Sequence, residues 1–232
     1  VFVYLRSNGF EEYKAILGFI GPAIYYVMFK IVTFKSNIIV CQEQLFKKGK
    51  CEIVFPSELN SLWLENLQDP MLDKPRLLYV GRIKVEKGIF SLLNIFNEIN
   101  EDFNLSIVGS TDNKNLDSNK IKYIGYGYDA DELVKIYDNH NISILPSFTE
   151  AHPKVIDESL SRKRPVIIFK EIEHIIQNKK GIFVTERNSK SLLETISYIM
   201  KNYKDIQASM SKNILPTKKE FISSMSNILN SN

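Results

Sequence analysis

The sequence predicts an α/β protein, a doubly wound parallel sheet preceded by part of a second α/β domain. Three observations carry this. From Arg76 onward, short apolar runs alternate with amphipathic stretches of helical spacing. Those runs stop at glycine or proline, as at Val80-Gly81, Val108-Gly109, Ile124-Gly125 and Leu145-Pro146, so strands end in tight loops. Before residue 66 the same alternation yields only three strands, too few for a complete doubly wound half.

Val1 to Leu5 reads as a strand, and Arg6-Ser-Asn-Gly9 as a turn. Glu11 to Phe34 reads as helix broken near Pro22, followed by a strand within Ser36–Cys41. Gln42 to Lys48 suggests a helix, Glu52 to Phe55 a third strand, and Ser57 to Asn66 a turn with a short helix. Residues 66–75 carry two prolines and no periodicity, which predicts a linker. Next come a strand at Leu77–Val80, a loop at Gly81–Gly88 and a helix at Ile89–Ile99. Strands at 105–108 and 121–124 flank a polar loop at Asp112–Asn119, and a helix is expected at 131–139. Residues 145–169 read strand, turn, helix, strand, with Pro153 in the first helical turn and Val155, Ile156 and Leu160 on the buried face. Glu171–Asn178, Lys190–Met200, Lys204–Lys212 and Thr217–Leu229 read as helices, with a strand at Ile182–Val184.

Composition narrows the function. The 232 residues are 44% hydrophobic and 25% charged, as in ordinary globular chains, and the net charge of +3 gives no nucleic-acid footprint. Lys47, Lys48 and Lys50 read as a solvated loop. Cys41 and Cys51 have no metal-ligand spacing and read as reduced packing residues of a cytoplasmic protein. The chain begins at Val1, in mid-strand, which predicts a fragment whose true amino terminus lies upstream. Ala15 to Phe29 is the most apolar segment, yet it is shorter than the roughly 20 residues a spanning helix needs. It reads as a buried or interface helix, with contact at a membrane surface as the alternative.

Two stretches carry chemistry. In 145–169, Glu150 stands on the turn before the helix and Glu158 lies inside it, both beyond the carboxyl end of a strand, where open α/β sheets bind ligands. The competing structural reading has Glu150 favouring the helix start and Glu158 pairing with Arg162 one turn on. In Gly81-Arg82-x-x-x-x-Lys87-Gly88, a glycine turn and two cations precede a helix, whose amino end is already positive. That misfit predicts an anion there, with Arg82 offering a fork to phosphate oxygens. The loop matches neither nucleotide-binding glycine signature.

Residues 76–186 resemble the carboxyl-terminal domain of retaining family-4 glycosyltransferases of the GT-B fold. The resemblance rests on Leu-Leu-Tyr-Val-Gly-Arg-Ile-x-x-Glu-Lys-Gly (77–88), Leu-Ser-Ile-Val-Gly (105–109) and Ile-x-Tyr-Ile-Gly (121–125). Glu-Leu-Val-x-x-Tyr (132–137), Leu-Pro-Ser-x-x-Glu (145–150) with Glu158, Pro165-Val166-Ile167 and Gly181 complete it. It implies a GT-B, Rossmann-like architecture in which 1–70 is the end of an incomplete acceptor-binding domain. Residues 71–215 would be the donor-binding domain, and the helix in 216–232 would pack back on the first.

The resemblance also implies roles. Arg82 and Lys87, with Gly81, would hold the diphosphate of a nucleotide-sugar, and Arg82, Lys87 and Glu150 would serve catalysis. Glu158 would bind the ribose and Glu150 the donor sugar. Residues Ala151, His152, Pro153, Lys154 and Val155 would approach sugar and phosphate, and Ile124, Gly125 and Tyr126 the base. No metal and no other cofactor is expected. The partners implied are a nucleotide-sugar and a glycan or lipid-linked acceptor in cell-surface polysaccharide synthesis, with peripheral contact at the inner membrane face. The sequence departs from the family at Ala151, usually glycine, at His152, usually apolar, and at Ser159, usually alanine. Asp129-Ala-Asp131 has the form of a metal motif, but helix capping explains it. A non-catalytic nucleotide-sugar binding module, or another enzyme of this architecture such as an epimerase, is the alternative.

Overall fold

The computed structural model describes residues 1–46, 49–110 and 116–231. The expected loop lysines Lys47 and Lys48, and the first half of the polar loop at 112–119, lie outside them. The chain divides into two compact units, one of residues 1–58, 150–154 and 216–232, the other of 59–149 and 155–215.

The first unit is built on three short parallel strands, β1 (Phe2–Leu5), β2 (Asn37–Val40) and β3 (Glu52–Ile53), in that order. Tyr4 donates to the Val54 carbonyl at 2.7 Å. Helices α1 (Gly9–Leu17) and α2 (Gly21–Thr33) follow β1, joined by a 3-10 turn at Gly18–Ile20. The helical break therefore falls at Gly18, whose φ of +64° ends α1, and not at Pro22. Pro22 sits in the first turn of α2, where its missing N–H has no helical partner to lose. Within the helix expected at 42–48, the described residues hold a 3-10 turn at Glu43–Leu45, and Lys47 and Lys48 lie outside them. The closing helix α9 (Lys218–Asn230) carries a reciprocal cap between Thr217 and Glu220 and belongs to this unit.

The second unit is a six-stranded, wholly parallel sheet. In chain order its strands are β4 (Arg76–Val80), β5 (Asn104–Val108), β6 (Ile121–Gly125), β7 (Ile142–Leu145), β8 (Val166–Phe169) and β9 (Ile182–Thr185). They lie in the order β6-β5-β4-β7-β8-β9. Winding runs outward from β4 on one side and from β7 on the other, so the switch point lies between these two. Successive side chains of β4 take opposite faces: Leu77 and Tyr79 enter the large core with Ile89, Leu92 and Phe96, and Leu78 enters a smaller one with Trp63, Val134 and Tyr137. The helices are α3 (Ser61–Leu64), α4 (Ile89–Asn97), α5 (Ala130–Asp138), α6 (Lys154–Ser161), α7 (Ser189–Lys201) and α8 (Tyr203–Met210).

The boundary expected near residue 70 falls at Glu58/Leu59. Two buried arginines explain it. Arg162 donates to the carbonyls of Trp63, Glu65 and Asn66 at 2.8–3.1 Å, and Arg164 to that of Gln68 at 2.9 Å. Both face Asp138, which Arg162 grips with Nε and Nη2 at 2.9 and 2.8 Å. The aperiodic segment is thus fastened to the second unit by its backbone, through side chains distant in sequence.

Candidate functional site

The loops after β4 and β7 leave neighbouring strands at the switch point, where α/β sheets hold ligands. After β4, Gly81 donates to the Val108 carbonyl at 2.9 Å, Ile83 to that of Ser110 at 3.2 Å, and the Tyr79 hydroxyl to that of Arg82 at 2.7 Å. The backbone is therefore fixed while the Arg82 side chain stays 60% exposed. A 3-10 turn at Val85–Lys87 leads to Gly88, whose φ is +67°. A Cβ on Gly88 would stand 1.9 Å from the Pro146 carbonyl oxygen, so only glycine brings this loop so close to the end of β7. The two loops are also joined by the Phe148 N–H, which donates to the Glu86 carbonyl at 3.1 Å. Glu86, whose carboxylate lies 4.0 Å from Arg82, adds an anion that the count of cations alone overlooks.

Glu158 is buried on α6, and Tyr137 on α5 donates to its Oε2 at 3.0 Å. Burial first, and the carboxylate second, push the Tyr137 hydroxyl well above its ordinary range, so it stays a donor at every physiological pH. Trp63 packs edge-on against Tyr137, with ring centroids 5.5 Å apart. Arg162, the partner that the competing structural reading gave to Glu158, pairs with Asp138 instead. Ser159 is buried, contacting the Ser143 hydroxyl at 2.7 Å and donating to the Arg164 carbonyl at 2.9 Å.

At the end of β6, the Gly125 carbonyl accepts from Gly109 at 2.9 Å, and Tyr128 hydrogen-bonds the Ile124 carbonyl. Tyr126 is exposed. Asp129 caps α5: it accepts from the Glu132 N–H at 2.9 Å, and Glu132 accepts in return from the Asp129 N–H at 3.0 Å. Its role is structural, as the sequence suggested. Among the described residues no group of three or more His, Cys, Asp or Glu side chains is placed to hold a metal ion.

The predicted site residues thus divide. Gly81, Arg82, Lys87, Ile124, Gly125, Tyr126, Val155 and Glu158 lie in the second unit, and Glu150, Ala151, His152, Pro153 and Lys154 in the first. Helix α6 begins at Lys154, one residue after Pro153. Within the first unit, Lys154 pairs with Glu58 at 2.8 Å, and the His152 ring lies 5.3 Å from that of Phe55. Lys218 holds the other Glu58 oxygen at 3.1 Å. Three residues that touch these elements had no role assigned from sequence: Glu86 and Tyr137, which appear there only as motif positions, and Arg187, which reaches the Pro146 carbonyl at 3.0 Å from beyond β9.

Residues 74–202 match the family described as "Glycosyl transferases group 1". An uncharacterized glycosyltransferase of Haemophilus influenzae is 25% identical over 176 residues, 69% of this chain and 48% of the relative. The N,N'-diacetylbacillosaminyl-diphospho-undecaprenol alpha-1,3-N-acetylgalactosaminyltransferase of Campylobacter jejuni is 25% identical over 69% of this chain and 44% of its own. The chain therefore spans about half the length of the curated relatives it matches. Among solved structures, sucrose-phosphate synthase of Thermosynechococcus elongatus superposes with a TM-score of 0.76 at 18% identity, over 98% of this chain and 66% of that one. Anabaena HepE, in complex with UDP and glucose, superposes with a TM-score of 0.72 at 12% identity, over 100% of this chain and 71% of that one. These neighbours share the GT-B fold with this chain. With more than half of its length matched, over the stretch from β4 to α7 that holds both loops, the chain belongs to the group 1 glycosyl transferases.

Proposed function

We propose that this protein moves a sugar from a nucleoside-diphosphate sugar to an acceptor hydroxyl with retention of configuration, as a family-4 glycosyltransferase of cell-surface glycan synthesis. The observation that carries the reading is the switch point itself. A loop bearing Arg82 and Lys87 follows β4, and the helix bearing the buried carboxylate of Glu158 follows β7, its neighbour. Arg82 and Lys87, together with the amino end of α4, would hold the diphosphate and offset the charge that grows on it as the glycosidic bond breaks. That arrangement supplies the work a metal would otherwise do, and it supports a metal-independent reaction. Glu158, held by Tyr137, would accept from the ribose hydroxyls. Ile124, Gly125 and Tyr126 would border the base. Glu150 is assigned to the donor sugar from the spacing of the two glutamates alone.

The Campylobacter jejuni relative is named for a diphospho-undecaprenol-linked sugar, which supports a lipid-linked glycan as acceptor. Among the described residues no helix is long and apolar enough to cross a membrane. Contact at the surface is supported by three exposed apolar residues, Phe19 in the 3-10 turn, Ile31 in α2 and Phe34 just after it, the last two flanked in sequence by Lys30 and Lys35.

The test is calorimetric titration with UDP, GDP and ADP in the presence of a chelator. One nucleotide is expected to bind the wild-type chain, and to bind Glu158→Ala and Arg82→Ala at least about ten-fold more weakly. Equal binding by all three proteins would overturn the assignment.

A further inference from the structure

We propose that Arg187 is a positioning residue of the donor site: it fixes the Gly88 end of the loop after β4 against the carboxyl end of β7, and so sets where Lys87 and Arg82 present their charges. The inference rests on the donor-site reading above. Arg187 lies beyond β9, yet its guanidinium reaches the centre of the sheet. Nη2 donates to the Pro146 carbonyl at 3.0 Å, the same oxygen that leaves no room for a Cβ on Gly88. Nη1 lies against Gly88, 3.3 Å from where that Cβ would be. Nε is held by Glu171 at 2.7 Å. The guanidinium carbon sits 4.2 Å from the ring centroid of Phe148 and 4.3 Å from that of Phe169.

Phe148 closes the circuit, because its N–H donates to the Glu86 carbonyl next to Lys87. One planar cation therefore touches the Pro146 carbonyl, Gly88 and the Phe148 ring, which together locate the loop. A lysine has neither the fork nor the flat face for this arrangement. Nη1 is buried with no hydrogen-bond partner among the described residues, and an unmatched buried donor costs on the order of 1–3 kcal/mol.

The experiment compares each nucleoside with its diphosphate (uridine with UDP, guanosine with GDP, adenosine with ADP) by calorimetry on wild type, Arg187→Met, Arg187→Lys and Glu171→Gln. The gain in affinity from nucleoside to diphosphate measures the phosphate loop, and nucleoside affinity measures the rest of the site. In Arg187→Met and Arg187→Lys that gain is expected to fall about ten-fold, with nucleoside affinity unchanged within about two-fold. Glu171→Gln, which keeps an acceptor for Nε, should lose less. If Arg187→Met does not fold, Arg187→Lys and Glu171→Gln carry the same comparison. A diphosphate gain equal to wild type overturns the inference, as does a parallel loss of nucleoside and diphosphate affinity. A wild-type chain that binds no nucleotide overturns the donor-site reading and this inference together.

Discussion

Tyr137 and Glu158 meet across two helices, with the phenol donating to a buried carboxylate at 3.0 Å. A buried carboxylate is costly unless its oxygens are matched, and each lost partner exposes that cost. Tyr137→Phe removes this donor and little volume. It should lower unfolding free energy by about 1–3 kcal/mol, measured by urea titration, and weaken nucleotide binding several-fold. Nucleotide affinity equal to wild type would separate the tyrosine from the site.

Arg162 is 1% exposed and holds three backbone carbonyls as well as Asp138. Arg162→Leu leaves those acceptors unmatched and Asp138 short of its closest cation. A loss of about 3–5 kcal/mol is expected on denaturation, and Arg162→Lys should recover little of it because a single ammonium cannot span the acceptors.

Gly88 and Gly127 both have positive φ, +67° and +83°, but differ in their surroundings. A Cβ at Gly88 meets the Pro146 carbonyl, and one at Gly127 meets nothing within 4 Å. Gly127→Ala should cost about 1 kcal/mol of backbone strain, and Gly88→Ala clearly more. Thermal midpoints of the two variants give the comparison, and equal midpoints would refute the close approach.

The carboxyl of Glu58 is held below the ordinary range, chiefly by its hydrogen bond to Lys154 and then by Lys218. A depressed pKa means the folded state favours the ionised form. The contribution is therefore complete above the unfolded value, about 4.3, and is lost as pH falls through the lower folded value. Because Glu58 is 48% exposed, solvent screens it and the pair is worth only a few tenths of a kcal/mol. The difference in thermal midpoint between wild type and Glu58→Gln should be present at pH 7, shrink below about pH 4, and weaken in high salt.

The second unit was legible because its strands are apolar runs stopped by glycine or proline, signals that lie within a few residues of each other. Arg82, Lys87 and Glu158 were singled out for the same reason: each stands beside a strand end or inside the helix that follows one. What stayed hidden was carried by long side chains. Arg162 has a glutamate one turn back, which suggested a local pair, yet it reaches Asp138 and the 63–66 carbonyls instead. Arg187 sits in Thr-Glu-Arg-Asn, a stretch with no period and no motif, and only the fold brings it to Pro146. Pro22 misled because proline at a helix start and proline at a break look alike in sequence, and the positive φ of Gly18 decides between them.

The path of the chain between its two units limits how such a protein can be divided. The backbone passes from one unit to the other four times, at 58/59, 149/150, 154/155 and 215/216. Residues 59–215 therefore cannot be excised as a free-standing piece without taking 150–154 along, a strip whose Lys154 and His152 have partners in Glu58 and Phe55. Cut out alone, that piece would carry a stranded cation and an uncovered ring on the segment between β7 and α6. The second unit is thus not delimited by a single junction in the chain.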